Sequence, residues 1–178
     1  MKLKIGVYGS AKDENKNVVA AAREIGKLIA ENDCMLVTGA CGGIPHEALK
    51  SAKAHKGFTI GFSPAENIQE HKEIGYPEDD FDILVFTGFG KKGRNVVSVR
   101  TCDAAIFISG GSGSLNEFTI AYDEGKVCGI LLGSGGITEI LKDLEEKYLS
   151  GRKKSGKVIY ESEPEKLVKK VLETLDKR

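Results

Sequence analysis

At 178 residues the chain is long enough for one domain with a substantial core and short for two. Its 26 Lys and Arg balance its 26 Asp and Glu, so no overall basic field exists to hold nucleic acid, and none is expected as a partner. No apolar run approaches the roughly 18 residues that cross a bilayer, which argues against a helical membrane span.

Met1 to Gly9 enters a strand (3–9) directly, with neither an apolar leader nor a small-residue cleavage site, so a cytoplasmic protein is expected. That strand runs into Gly9-Ser10-Ala11. A helix follows at 14–31, where Ile25, Leu28 and Ile29 keep helical spacing. The second strand, 34–38, ends in Gly39-Ala40-Cys41-Gly42-Gly43, and Pro45 suits the first turn of the helix at 44–56. After a strand at 58–62, the polar stretch from Ser63 to Asp80 breaks the short-loop pattern; it holds Pro64, His71 and Pro77 and reads as a lid or a solvated excursion. A strand at 82–87 ends in Gly88-Phe89-Gly90 ahead of a helix at 93–102. The apolar run Ala104-Ala105-Ile106-Phe107-Ile108 then passes into Ser109-Gly110-Gly111-Ser112-Gly113-Ser114-Leu115-Asn116-Glu117 and a helix at 114–125. Strands at 127–133 and 157–160 and helices at 136–149 and 164–176 complete the chain; Leu167, Val171, Leu172 and Leu175 mark the last helix.

Strict alternation of strand and helix predicts an α/β fold: a doubly wound, mainly parallel sheet of about seven strands, with helices on both faces. Strands that read as continuous Ile/Val/Leu/Phe runs are those buried on both faces. With no linker, repeat or low-complexity segment, residues 1–178 form a single Rossmann-like domain.

In such a sheet, ligands bind outside the carboxyl ends of the strands. Four glycine-bearing loops fall at those ends. Glycine lets backbone N–H groups crowd an anion, and a helix N-terminus adds unpaired donors and a positive dipole end. The segment after the fifth strand is therefore a candidate phosphate loop through Gly110, Gly111, Ser112, Gly113 and Ser114, with Gly9, Ser10, Gly39, Gly42 and Gly43 from the neighbouring loops. A dinucleotide fingerprint is absent after the first strand, and no acidic residue ends the second, so NAD is not favoured. Gly151 to Lys157 matches a P-loop only by chance: Val158 stands where Ser or Thr must bind magnesium, and a strand follows where a helix should. The clusters Lys91-Lys92 with Arg94 and Arg152-Lys153-Lys154 are too short to hold nucleic acid.

Acid–base groups are scarce. His55 reads as solvent-facing, while His46 at a helix start is a candidate for the crevice. Cys34 and Cys128 read as core residues, and Cys41 is either a thiol at a helix N-terminus or a small filler. No metal-ligand spacing and no pyridoxal-phosphate lysine can be picked out, so decarboxylase activity has no support.

Ser109 to Glu117 resembles the P-G-G-x-G-T-x-x-E motif of the LOG family, with Ser109 for proline and Ser114 for threonine. That family includes nucleoside 5′-monophosphate phosphoribohydrolases. Gly93-Arg94-Asn95 takes the place of the family's Arg-Lys pair, and Gly39 to Ile44 resembles its second glycine turn. With Asn95 in place of lysine, the sequence is more similar to the branch holding the molybdenum cofactor carrier protein and relatives of DNA-processing protein A.

The resemblance implies that Gly93, Arg94 and Asn95 bind ligand, Arg94 gripping phosphate with its planar fork. It gives Glu117 ribose hydroxyls to hold, or the positive charge that builds as an N-glycosidic bond breaks. Arg94 and Glu117 are thus the catalytic candidates, with Asn116 and Thr119 weaker ones. Against this, Ser114-Leu115-Asn116-Glu117 also fits a helix-capping box. Two functions follow. The favoured one is a protein that holds a nucleoside monophosphate or a phosphorylated pterin-type cofactor, with no cofactor required for turnover. The alternative is a phosphoribohydrolase that releases base and ribose 5-phosphate. A homo-oligomer, dimer or tetramer, is implied as well.

Overall fold

The computed structural model describes residues 1–12, 15–149 and 156–177. The cluster Arg152-Lys153-Lys154, most of the Gly151–Lys157 stretch and the first residue of the expected 14–31 helix lie outside them. Seven strands form one parallel sheet: β1 (Lys4–Gly9), β2 (Met35–Thr38), β3 (Phe58–Ser63), β4 (Ile83–Phe86), β5 (Ala104–Ile108), β6 (Val127–Leu131) and β7 (Lys157–Glu161). The helices are α1 (Lys16–Glu31), α2 (Ile44–Ala54), α3 (Ile68–Glu73), α4 (Gly90–Thr101), α5 (Ser112–Asp123), α6 (Leu141–Leu144) and α7 (Pro164–Leu175).

The strand order is β4-β3-β2-β1-β5-β6-β7. The chain works outward from β1 to β4, then returns to lay β5 on the free side of β1, with Ile5 opposite Ala104 and Gly9 opposite Ile108. Side chains alternate across the sheet. Ile5 and Val7 of β1 with Ala104, Ile106 and Ile108 of β5 join a core completed by Ile25, Leu49 and Leu167 of α1, α2 and α7. Tyr8 and Phe107 join Val99, Phe118 and Leu141 of α4, α5 and α6 on the other face. The doubly wound α/β class read from the sequence is therefore the observed one. Phe107 stacks between Tyr8 (5.7 Å between centroids) and an edge-on Phe118 (5.6 Å), which fixes α5 beneath its own glycine loop.

Three local expectations need correction. The Ser63–Asp80 stretch contains α3, which Asn67 caps by accepting from the Glu70 N–H (3.0 Å); six residues make too short an apolar period to read. The 136–149 helix is three pieces: a tight turn at Gly136–Glu139, α6, and a wide turn at Glu145–Leu149. Glycines at 135 and 136 with positive φ (81° and 62°) delay its start. The apolar strand β4 lies at the sheet edge, so Ile83 is exposed rather than buried on both faces.

Gly26 brings α1 against α2, because a Cβ there would lie 1.9 Å from the Ala48 carbonyl oxygen. Gly26→Ala is expected to lower stability by about 1–3 kcal/mol despite alanine's better helix propensity. Urea unfolding measures it, and an unchanged or raised midpoint would contradict the contact. Among the described residues, no helix is long and apolar enough to cross a membrane, and no group of three or more His, Cys, Asp or Glu gathers as a metal site would require.

Candidate functional site

Because β1 and β5 are neighbours with diverging connections, the strand order reverses between them, and the loops that leave their carboxyl ends open a crevice. The loops are closely keyed. A Cβ on Gly9 would fall 2.2 Å from the Ile108 carbonyl oxygen, and the Ile44 N–H donates to the Ser10 carbonyl at 2.9 Å. Loops after β1, β2 and β5, together with the first turns of α4, bound a cavity of about 440 Å³. That volume suits a small organic ligand.

Two non-glycine residues hold left-handed backbone beside it: Ala40 (φ 48°) after β2 and Ser109 (φ 55°) after β5. Such conformations are strained for L-residues and persist where the surroundings enforce them. At Ser109 the enforcement is visible: its N–H donates to Ser134 Oγ (2.8 Å), whose hydroxyl donates to the Leu131 carbonyl (2.7 Å). Gly110 follows at φ 99° and accepts from the Ile137 N–H at 2.9 Å.

Helix α5 then starts at Ser112, with Gly111 as a cap that supplies no side chain. Its first helical bond runs from the Leu115 N–H to the Gly111 carbonyl (2.9 Å), so the N–H groups of Ser112, Gly113 and Ser114 have no helical acceptor. All three residues line the cavity. The capping-box reading is overturned here. Ser114 is the third residue of the helix, not its cap, and Glu117 turns away from the helix end to meet Arg94.

Arg94 also sits differently from expectation. Helix α4 begins at Gly90, so Gly93-Arg94-Asn95 lies a turn inside it rather than at its start. The guanidinium lies on Gly39, where a Cβ would come within 1.8 Å of Nη1. Nη1 donates to Glu117 Oε1 at 3.2 Å, Nη2 faces Cys41 Sγ at 3.7 Å, and the buried Nε has no partner. In the amide orientation that satisfies its surroundings, Asn95 donates to Glu117 Oε1 (3.1 Å) and the Lys91 carbonyl (2.9 Å), with its oxygen facing the Asn116 amide at 2.8 Å. Both members of the Arg94–Glu117 pair are over nine-tenths buried. Burial pushes the Glu117 carboxyl up to about 7, and the Arg94 charge opposes that rise. Cys41 is no activated thiolate: burial raises its thiol and outweighs the pull of Arg94.

Of the residues expected at the site, the fold brings Gly9, Ser10, Gly39, Arg94, Asn95, Gly111, Ser112, Gly113, Ser114 and Glu117 to one cavity. Gly42, Gly43, Gly93 and Gly110 shape the surrounding backbone without lining it. Thr119 turns its hydroxyl back to the Asn116 carbonyl (3.0 Å). His46 faces Asp80 and Phe81 instead of the cavity, with Nε2 4.0 Å from Asp80 Oδ2, and burial lowers its pKa. His55 is exposed, and its Nδ1 lies 2.8 Å from the Ser51 carbonyl. Cys34 and Cys128 are core residues, as read.

Sequence reading missed Tyr8, Tyr76, Lys91 and Lys92 as lining residues. In the sequence Tyr8 is an ordinary strand residue, and the lysine pair is too short to mark a nucleic-acid patch. Both lysines are exposed, and neither ammonium has an ion-pair partner among the described residues.

Comparison with known proteins places the fold. A relative from Archaeoglobus fulgidus, an uncharacterized protein, is 35% identical over 127 residues, covering 71% of this chain and 78% of its own. The molybdenum cofactor carrier protein of Chlamydomonas reinhardtii superposes with a TM-score of 0.80 at 27% identity, covering 100% of both chains. The molybdenum cofactor binding protein of the phototrophic bacterium Rippkaea orientalis gives 0.79 at 27% identity, over 98% of each. DNA processing protein A from Helicobacter pylori, described for its single-stranded DNA binding mode, shares the fold at 19% identity, with a TM-score of 0.67 over 97% of this chain and 81% of that one. The SLOG cluster4 family model matches residues 2–168, and the chain belongs to that family of the LOG-like superfamily.

Proposed function

We propose that this protein binds a small phosphorylated ligand in the crevice between β1 and β5 and carries it without turnover. The ligand class is a nucleoside monophosphate or a phosphorylated pterin-type cofactor. One observation carries the reading: the open N–H groups at the start of α5 and the ammonium groups of Lys91 and Lys92, without an ion-pair partner among the described residues, border a single cavity. Backbone donors, a helix dipole and exposed cations together favour a phosphate. Arg94 is committed to Glu117, so the phosphate falls to the lysines and the helix start, with Arg94 holding the carboxylate in place. The molybdenum cofactor carrier protein, similar over its whole length, supports a cargo-holding role.

Hydrolysis is the second reading, and Glu117 favours it: a buried carboxylate at about 7 on the cavity wall is suited to proton transfer at neutral pH. A cytoplasmic homo-oligomer, dimer or tetramer, with no nucleic-acid partner belongs to the same proposal.

Calorimetric titration with nucleoside 5′-monophosphates tests it. Exchanging both Lys91 and Lys92 for alanine is expected to weaken binding about 10- to 100-fold, the scale of charge-assisted hydrogen bonds. Unaltered affinity in that variant would defeat the assignment. Chromatography for released base separates the two readings: release that Glu117→Ala abolishes makes the protein a phosphoribohydrolase.

A further inference from the structure

We propose that Tyr76 is the specificity wall of the crevice: its ring stacks on a planar heteroaromatic ring of the ligand, so the site selects a phosphate ester bearing a purine- or pterin-like ring over a sugar phosphate alone. This rests on the reading of the crevice as a phosphorylated-ligand site.

The cavity is lined largely by glycine, serine and cationic residues, and among the described residues two aromatic ones line it, Tyr8 and Tyr76. Tyr8 is floor. It is 1% exposed, its hydroxyl is bonded to Ser98 Oγ (2.8 Å), and its ring packs on Phe107. Tyr76 is half-buried and comes from the excursion between β3 and β4 to the cavity that the glycine loops also line. Its position is built, not incidental. The fully buried His71 meets its ring edge-on at 5.5 Å and 64°, and the Tyr76 N–H donates to the His71 carbonyl at 3.2 Å.

His71 is itself locked at both ring nitrogens. Nε2 stands 2.9 Å from the Pro77 carbonyl, which only accepts, so Nε2 carries the proton. Nδ1 then accepts from the Ser63 hydroxyl at 2.8 Å. One bond ends on the residue that follows Tyr76 in the chain, and the other ties the ring to the end of β3. An aromatic ring on a long excursion, held by a dedicated buried histidine, is pre-organised for contact at low entropic cost. Lys91 Nζ lies 6.0 Å from the Tyr76 centroid, so a cation and a π-face stand on the same wall. A nucleotide or pterin phosphate presents the matching pair, an anion beside a flat ring.

Titration of the full chain with guanosine 5′-monophosphate and with ribose 5-phosphate tests this. The nucleotide is expected to bind the wild-type protein about ten-fold more tightly or better, the scale of one base stacked on an aromatic side chain. Tyr76→Ala is expected to abolish that ratio while leaving ribose 5-phosphate affinity as it was, and Tyr76→Phe to keep the ratio. Equal affinity of the two probes for the wild-type protein would overturn the stacking role and leave the phosphate site standing. A Tyr76→Phe loss as large as that of Tyr76→Ala would overturn it too, by assigning the contact to the hydroxyl. Binding of neither probe would remove the stacking role together with the phosphorylated-ligand reading beneath it.

Discussion

Arg94→Ala is expected to destabilise the protein by about 3–5 kcal/mol at pH 8, the cost of removing one partner of a buried ion pair. Glu117, over nine-tenths buried, would then either hold its charge with the Asn95 amide as its one donor among the described residues or take up a proton to shed it, and the guanidinium seat on Gly39 would stand vacant. The deficit depends on pH. Without Arg94, the term that restrains the upward shift of Glu117 disappears, so the carboxyl takes a proton more readily and escapes most of the electrostatic cost at pH 5. Urea unfolding at the two pH values measures both effects. A deficit below about 1 kcal/mol, typical of exposed pairs, would contradict the buried geometry, and one equal at both pH values would contradict the coupling. Arg94→Lys is not expected to rescue, because an ammonium lacks the planar fork that spans Glu117 and Cys41.

The second large effect is the pH dependence contributed by Glu117 itself. Its carboxyl is at about 7 in the folded chain against an ordinary 4.5, so the folded state binds more protons than the unfolded state between those values. Stability then falls as pH rises through that window: the contribution is present in full below about pH 4.5 and gone above about pH 7. At 1.36 kcal/mol per unit, the span is about 3 kcal/mol. Glu117→Gln removes the titration, so the stability of the wild type relative to this variant is expected to drop by about 3 kcal/mol between pH 4.5 and pH 8. Taking the difference cancels the other carboxylates, including Asp82 and Asp103, whose lowered pKa values act in the opposite sense. A difference that stays flat across the window would place Glu117 in the ordinary carboxylate range.

Strands were legible because parallel strands buried on both faces are written as unbroken apolar runs, and Ala104–Ile108 is such a run with all five residues buried. The same code misleads at a sheet edge: Ile83-Leu84-Val85-Phe86 is as unbroken a run, of four residues, yet has a neighbour on one side only. Glycine placement gave away the crevice, since the loops after β1, β2 and β5 need close backbone approach wherever they meet. What stayed hidden were contacts between distant segments. Ser114-x-x-Glu117 satisfies a local capping rule, and only the packing of α4 against α5 puts Arg94 within 3.2 Å of Glu117 and takes the carboxylate from the helix end. Tyr76 was invisible for a similar reason: its place depends on a buried histidine whose partners, Ser63 and Pro77, bracket a helix too short to announce itself.

The seam between β1 and β5 bears on how the chain is put together. Strands β1 to β4 each lie beside the strand before or after them in the chain, and so do β5 to β7. Only the seam joins residues about a hundred positions apart, Ile5 with Ala104, and it closes the longest loop in the sheet. The crevice straddles that seam, one wall from each half, so it exists only once that long-range closure is made. A molecule seated there therefore acts as a clasp: it holds the two halves of the sheet shut where the chain has the most to gain by opening, and mass action passes its affinity to the stability of the whole domain.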